Sequence, residues 1–157
     1  MGNTVFISWS GERSRLVAEA LRGWLPVVLQ TVQPWMSVAD EEKGSRWESE
    51  ISARLDEADV GIVCLTPENL SSPWLLFEAG ALSKKLSKSR VCTYLLDLTP
   101  AEVPPPLGMF QYTVFARDDT RKLLDSINNV QAHPIGKDIL DMSFGALWPR
   151  LEEELTL

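Results

Sequence analysis

An α/β fold with a mostly parallel sheet is what the sequence predicts, and two observations predict it. Short apolar runs alternate with longer amphipathic stretches along the whole chain, the pattern of strands joined by crossover helices. One run, Val60–Leu65 (VGIVCL), is nearly all apolar, as a central strand covered on both faces must be.

The elements follow in order. Thr4–Trp9 (TVFISW) reads as the first strand. A helix is expected over Glu12–Leu29, where Leu16, Ala20 and Trp24 recur at i+4 and Val17, Leu21, Leu25 and Val28 widen the apolar face. Thr31–Trp35 is a second strand, short and interrupted by Pro34. Met36–Gly44 is a polar loop leading to Ser45 and Glu48, which are spaced as a capping box. Trp47, Ile51 and Leu55 then line one face of the helix that the box opens. After the central strand, Thr66–Pro67 and Ser72–Pro73 each look like an N-cap followed by proline at the first helical position. The next helix is expected at Pro73–Ser87, with Leu75, Ala79, Leu82 and Leu86 as its core stripe. Val91–Leu96 is the fourth strand, and Thr99–Leu107, rich in proline, is a loop. Tyr112–Phe115 is a short edge strand, and helices close the chain at Asp118–Asn129 and Gly136–Glu154. Five strands suit a flavodoxin-like order, in which ligands bind at the carboxyl ends of the strands.

Composition narrows the function classes. A chain of 157 residues is expected to be one domain over 1–157, or the N-terminal part of a longer protein. At that length roughly 70% of the unfolded surface is buried, so no metal or disulfide is needed to fold. A net charge of −7 argues against nucleic-acid binding by this segment. Cys64 and Cys92 lie in apolar runs outside any CxxC pair, which reads as buried free thiols in a reducing cytosol and argues against zinc. The N-terminus has no signal-peptide pattern, and Phe6 stands where N-myristoylation wants Ser or Thr. No apolar run approaches the ~20 residues of a membrane helix, so the expected location is cytoplasmic, with no membrane partner.

Several familiar sites are missing. There is no G-x-G-x-x-G, no Walker A loop and no G-x-S-x-G elbow, and His133, the one histidine, precedes Pro134 in a loop. Thr66 occupies the place where a phosphorylated receiver domain needs an aspartate. The informative residue is Glu78, in SPWLLFEAGAL. Trp74 precedes it by one helical turn on the same face, and Phe77, Ala81 and Leu82 flank it. A carboxylate at the edge of an apolar stripe loses hydration unless something pairs with it. Ala79, Gly80 and Ala81 leave room for close approach. The bland alternative is a surface glutamate near a helix N-terminus.

Three segments carry a family resemblance. FISWS (Phe6–Ser10), KGSRWESEI (Lys43–Ile51) and LTPENLSSPWLLFEAGAL (Leu65–Leu82) resemble, in order and over most of the chain, the boxes of Toll/interleukin receptor (TIR) domains. PPLGMFQYTVF (Pro105–Phe115) is similar to bacterial TIR domains of defence systems. The resemblance implies the flavodoxin-like TIR fold and cleavage of NAD+ at the nicotinamide–ribose bond, with Glu78 as the catalytic carboxylate. It implies substrate contacts at Ser8, Trp9, Ser10, Trp47 and Trp74, with plain core packing the alternative for Trp9 and Trp47. The loop Met36–Arg46, with Asp40, Lys43 and Arg46, would govern assembly. Where many TIR domains carry an aromatic–acid strand before that loop, this chain has QPWMS. Six tryptophans suit a site that grips a flat base. NAD+ is then substrate rather than cofactor, and no metal is expected. The implied partners are other TIR domains by homo-oligomerisation and a sensor domain or partner protein of a defence system. The rivals are a non-enzymatic TIR interaction module and a nucleoside deoxyribosyltransferase.

Overall fold

A computed structural model describes residues 3–37, 53–86 and 90–156. Five strands, β1 (Thr4–Ser8), β2 (Gln33–Met36), β3 (Val60–Leu65), β4 (Val91–Leu95) and β5 (Gln111–Val114), form one sheet in the order β2-β1-β3-β4-β5. Every pairing is parallel. This is the flavodoxin-like order, whose switch point lies between β1 and β3. The helices are α1 (Glu12–Val28), α2 (Pro73–Lys85), α3 (Arg117–Asn129) and α4 (Lys137–Leu155), and residues 53–57 are also helical.

Strand alternation divides the core. Val5 and Ile7 of β1, Ile62 and Cys64 of β3 and Tyr94 of β4 pack with α1, α3 and α4. Phe6, Val63, Leu65, Val91 and Leu95 face the other way, onto α2, Leu55 and the proline-rich loop. All six residues of β3 are buried, as its continuous apolar run requires. Pro34 is tolerated because β2 is an edge strand. Both cysteines are buried and free.

Ser72 is the N-cap of α2, its hydroxyl accepting from the Leu75 N–H at 3.4 Å, with Pro73 at the first helical position. The parallel expectation for Thr66–Pro67 fails: no helix begins there. The Thr66 N–H is instead satisfied by the Asn69 side-chain carbonyl at 2.9 Å, which holds a turn. Leu16 is 50% exposed rather than core, because the buried face of α1 is centred on Val17, Leu21, Leu25 and Val28. Met36 belongs to β2, not to the loop. The loop Met36–Gly44 is described only as far as Ser37. The capping box Ser45/Glu48, with Trp47 and Ile51, lies outside the described residues.

Candidate active site

The carboxyl ends of β1 and β2 and the first turns of α2 assemble the site. Ser8 ends β1 on the same side as Phe6, the side that α2 covers. Trp9, one residue on, belongs to the opposite layer with Val5 and Ile7. Its indole N–H donates to the Ser37 carbonyl at 2.7 Å, and its ring is 9% exposed. Trp9, expected as a substrate contact together with Ser8 and Ser10, packs in the layer opposite Ser8. Ser37 follows β2 directly, and its N–H donates to the Ile7 carbonyl at 2.8 Å, extending the ladder by one bond.

Glu78 has no exposed surface. The reading as a surface glutamate is therefore overturned: α2 turns this side chain inward, against the end of β1. Burial pushes its carboxyl up to about 8, while the hydroxyls of Ser8 and Ser37 pull in the opposite direction. Neither hydroxyl meets hydrogen-bond geometry with it. Both Glu78 carboxyl oxygens, Ser8 Oγ and Ser37 Oγ are buried without a hydrogen-bond partner among the described residues. An unmet buried polar group costs about 1–3 kcal/mol. Four of them in one place mark a site whose polar atoms are held in reserve.

Beside it lies a web of short polar side chains at the β1/β3 switch point. Ser72 Oγ lies 3.0 Å from Ser10 Oγ, tying the N-cap of α2 to the segment after β1. The Asn69 amide donates to the carbonyls of Ser10 at 2.9 Å and Cys64 at 3.1 Å, and Ser14 Oγ donates to the Cys64 carbonyl at 2.8 Å. These residues border an open groove of about 490 Å³, lined by Ser10, Gly11, Arg13, Thr66, Asn69 and Ser72 among others. Arg13 at its rim pairs with Glu68 at 2.9 Å and with Asp97. A tighter cleft of about 180 Å³ lies at the other end of the sheet, around Val60, Arg90 and Gln111, and so cannot serve Glu78.

Of the predicted site residues, the structure brings Ser8 beside Glu78 and Trp74 to the same face of α2, while Ser10 meets the N-cap Ser72. Trp74 is half-buried one turn before Glu78, its ring 6.0 Å from that of Phe77. Trp47, Asp40, Lys43 and Arg46 lie outside the described residues. The other described tryptophans are divided between the two layers. Trp24 and Trp148 pack around Phe144 in the α1–α4 core, where they fill volume. Trp35 lies over Phe6, with ring centroids 5.2 Å apart, on the Glu78 side of the sheet. Among the described residues no His, Cys, Asp and Glu side chains are grouped to hold a metal, and no helix is long and apolar enough to cross a membrane.

Ser37 is the site residue that the sequence did not single out. Its only local signal is its place directly after the short second strand. Its relation to Glu78 depends on β2 pairing with β1, a long-range fact.

A family model described as the TIR domain matches residues 5–127. Comparison with curated proteins gives no match.

Proposed function

The chain belongs to the TIR-domain family, and from that premise we propose that it is an NAD+ glycohydrolase with Glu78 as its catalytic carboxylate. The observation that carries this reading is a buried carboxyl at the carboxyl ends of the strands, with both oxygens unspent among the described residues. A structural glutamate in such a place is normally paired.

The chemistry suits a single carboxylate. The bond between C1′ of the ribose and the nicotinamide nitrogen breaks, and its electron pair stays with the nitrogen. Nicotinamide leaves neutral, so no general acid is needed, unlike an ordinary glycoside. The ribosyl group becomes oxocarbenium-like, and an ionised Glu78 in a water-poor site stabilises that charge electrostatically or as a transient ester. Water adds at C1′ and loses a proton, giving ADP-ribose; capture by an internal nucleophile gives a cyclic product instead. We assign substrate contact to Ser8, Ser10 and Trp74.

A carboxyl with no exposed surface receives substrate only after its neighbours move. The described state is accordingly a resting one, and we assign its activation to self-association. TIR domains commonly associate with one another, and a sensor domain or partner protein in bacterial antiviral defence fits this scheme. Phe77, 57% exposed next to Glu78, favours the second reading, a module that docks other TIR domains without catalysis. The test is concentrated protein incubated with NAD+, with free nicotinamide quantified beside Glu78→Gln. Release by the wild type alone supports the enzyme. No release at any concentration or with an added scaffold leaves the docking module.

A further inference from the structure

We propose that Ser8 and Ser37 are positioning residues for Glu78, two buried hydroxyls set against its carboxyl from the ends of adjacent strands, with Trp9 fixing Ser37 from the far face of the sheet. The inference rests on the reading of Glu78 as the catalytic carboxylate.

The argument begins with the backbone. β1 and β2 pair in parallel register, Ile7 opposite Met36, so Ser8 and Ser37 leave the sheet side by side. The Ser37 N–H is bound to the Ile7 carbonyl and the Ser37 carbonyl to the Trp9 indole, so both polar atoms of its backbone are fixed. Only its hydroxyl remains uncommitted, and it is buried. The same holds for the hydroxyl of Ser8, which is 0% exposed.

A serine hydroxyl has one rotatable hydrogen to donate, and an ionised carboxylate accepts only. Two hydroxyls beside one carboxylate are therefore donors in waiting, and each donated bond favours the charged form that catalysis needs. Burial raises the Glu78 carboxyl, and these two hydroxyls oppose that rise. Donation also fixes the carboxylate's rotation, which decides whether its charge lies beneath the reacting carbon.

The test reads the carboxyl directly. The chain is labelled with ¹³Cδ-glutamate, Glu78 is identified by its loss in Glu78→Gln, and its titration midpoint is measured without substrate. In Ser37→Ala and in Ser8→Ala the midpoint should rise, by about threefold or more in proton affinity. Ser37→Thr, which keeps a hydroxyl, should restore it. Trp9→Phe should raise it in the same direction, and adding Trp9→Phe to Ser37→Ala should raise it no further, since the indole acts through Ser37. An unchanged midpoint in folded Ser37→Ala overturns the proposal for Ser37 and Trp9, and the same outcome in Ser8→Ala overturns it for Ser8. If Ser8→Ala does not fold, Ser8→Thr is titrated in its place, and a midpoint far from wild type overturns it there. This readout needs no turnover, so loss of NAD+ cleavage and loss of positioning are separate results. In active Ser37→Ala, the acid limb of kcat/KM should move with the midpoint while KM at high pH stays constant.

Discussion

The indole of Trp9 and the backbone carbonyl of Ser37 are joined at 2.7 Å across 28 positions of sequence. The bond ties the exit of β1 to the exit of β2 from the side of the sheet opposite Glu78. Trp9 thus reaches the exit of β2 from the layer opposite Ser8. Trp9→Phe keeps the ring and deletes the donor, leaving a buried carbonyl unmet, and should cost about 1–2 kcal/mol in unfolding free energy. Trp9→Ala removes the ring from a packed layer and should cost about 3–5 kcal/mol. Denaturant unfolding of the two variants separates these values. In folded Trp9→Phe, the KM for NAD+ at high pH should match wild type; a large rise would return Trp9 to the substrate contacts.

Glu78 carries a stability prediction whose sign is unusual for a glutamate. Its carboxyl stands at about 8 in the folded chain, above the ordinary value of 4.5. Between those values the folded state holds a proton that the unfolded chain releases. Stability from this group is therefore full at low pH and falls as pH rises through that window. Glu78→Gln keeps the shape and removes the ionisation. It should raise stability by about 1–3 kcal/mol at pH 8 and by far less at pH 5, while abolishing NAD+ cleavage. Thermal melts of both proteins at the two pH values are the check. Equal destabilisation by Gln at both pH values would show that the carboxyl has a partner.

Most of the architecture was legible because periodicity is a local property. VGIVCL suggested a covered strand, and Ser72–Pro73 marked the start of α2. What stayed hidden depends on contacts distant in sequence. The burial of Glu78 requires β1 and α2 to close on it, 70 positions from Ser8. The same TP and SP signals diverge, because Thr66 is drawn into a turn by Asn69 while Ser72 has a free turn of helix to cap. Leu16 fits the helical period, but no element lies over it. The division of Ser8 from Trp9 was within reach, since adjacent strand residues point to opposite faces. Ser37 was not, because nothing local joins it to Glu78.

Gly61 leaves room for the Leu82 side chain of α2 against β3. A Cβ built there would lie 2.7 Å from Leu82 Cδ1, and Leu82 is fully buried one turn after Glu78. Gly61→Ala should therefore push on α2 and cost about 1–3 kcal/mol. Because the displaced helix carries Glu78, turnover should fall by more than the folded fraction does. Adding Leu82→Val makes room, so the double variant should recover part of both losses, giving a non-additive cycle. Additive losses in stability would mean that the two side chains do not compete for the same space.

Assembly supplies the remaining prediction. A buried Glu78 needs a cause for opening, and a second copy of the chain is the one we propose. The segment 40–46 carries Asp40, Glu41, Glu42, Lys43 and Arg46, so it offers both signs of charge to a neighbour. With a net charge of −7, dilute copies repel one another. Initial rates should accordingly be low in dilute solution and rise more steeply than linearly with enzyme concentration. Moderate salt should steepen the rise at first, because repulsion between whole molecules is screened over about 8–10 Å while close ion pairs survive. Lys43→Glu with Arg46→Glu should suppress the rise and leave the Glu78 titration midpoint unchanged. Light scattering in the assay buffer gives the size of the particles at each concentration. A rate strictly proportional to concentration, from a species that scatters as a monomer throughout, would refute activation by assembly and leave Glu78 chemistry to be judged on its own variants.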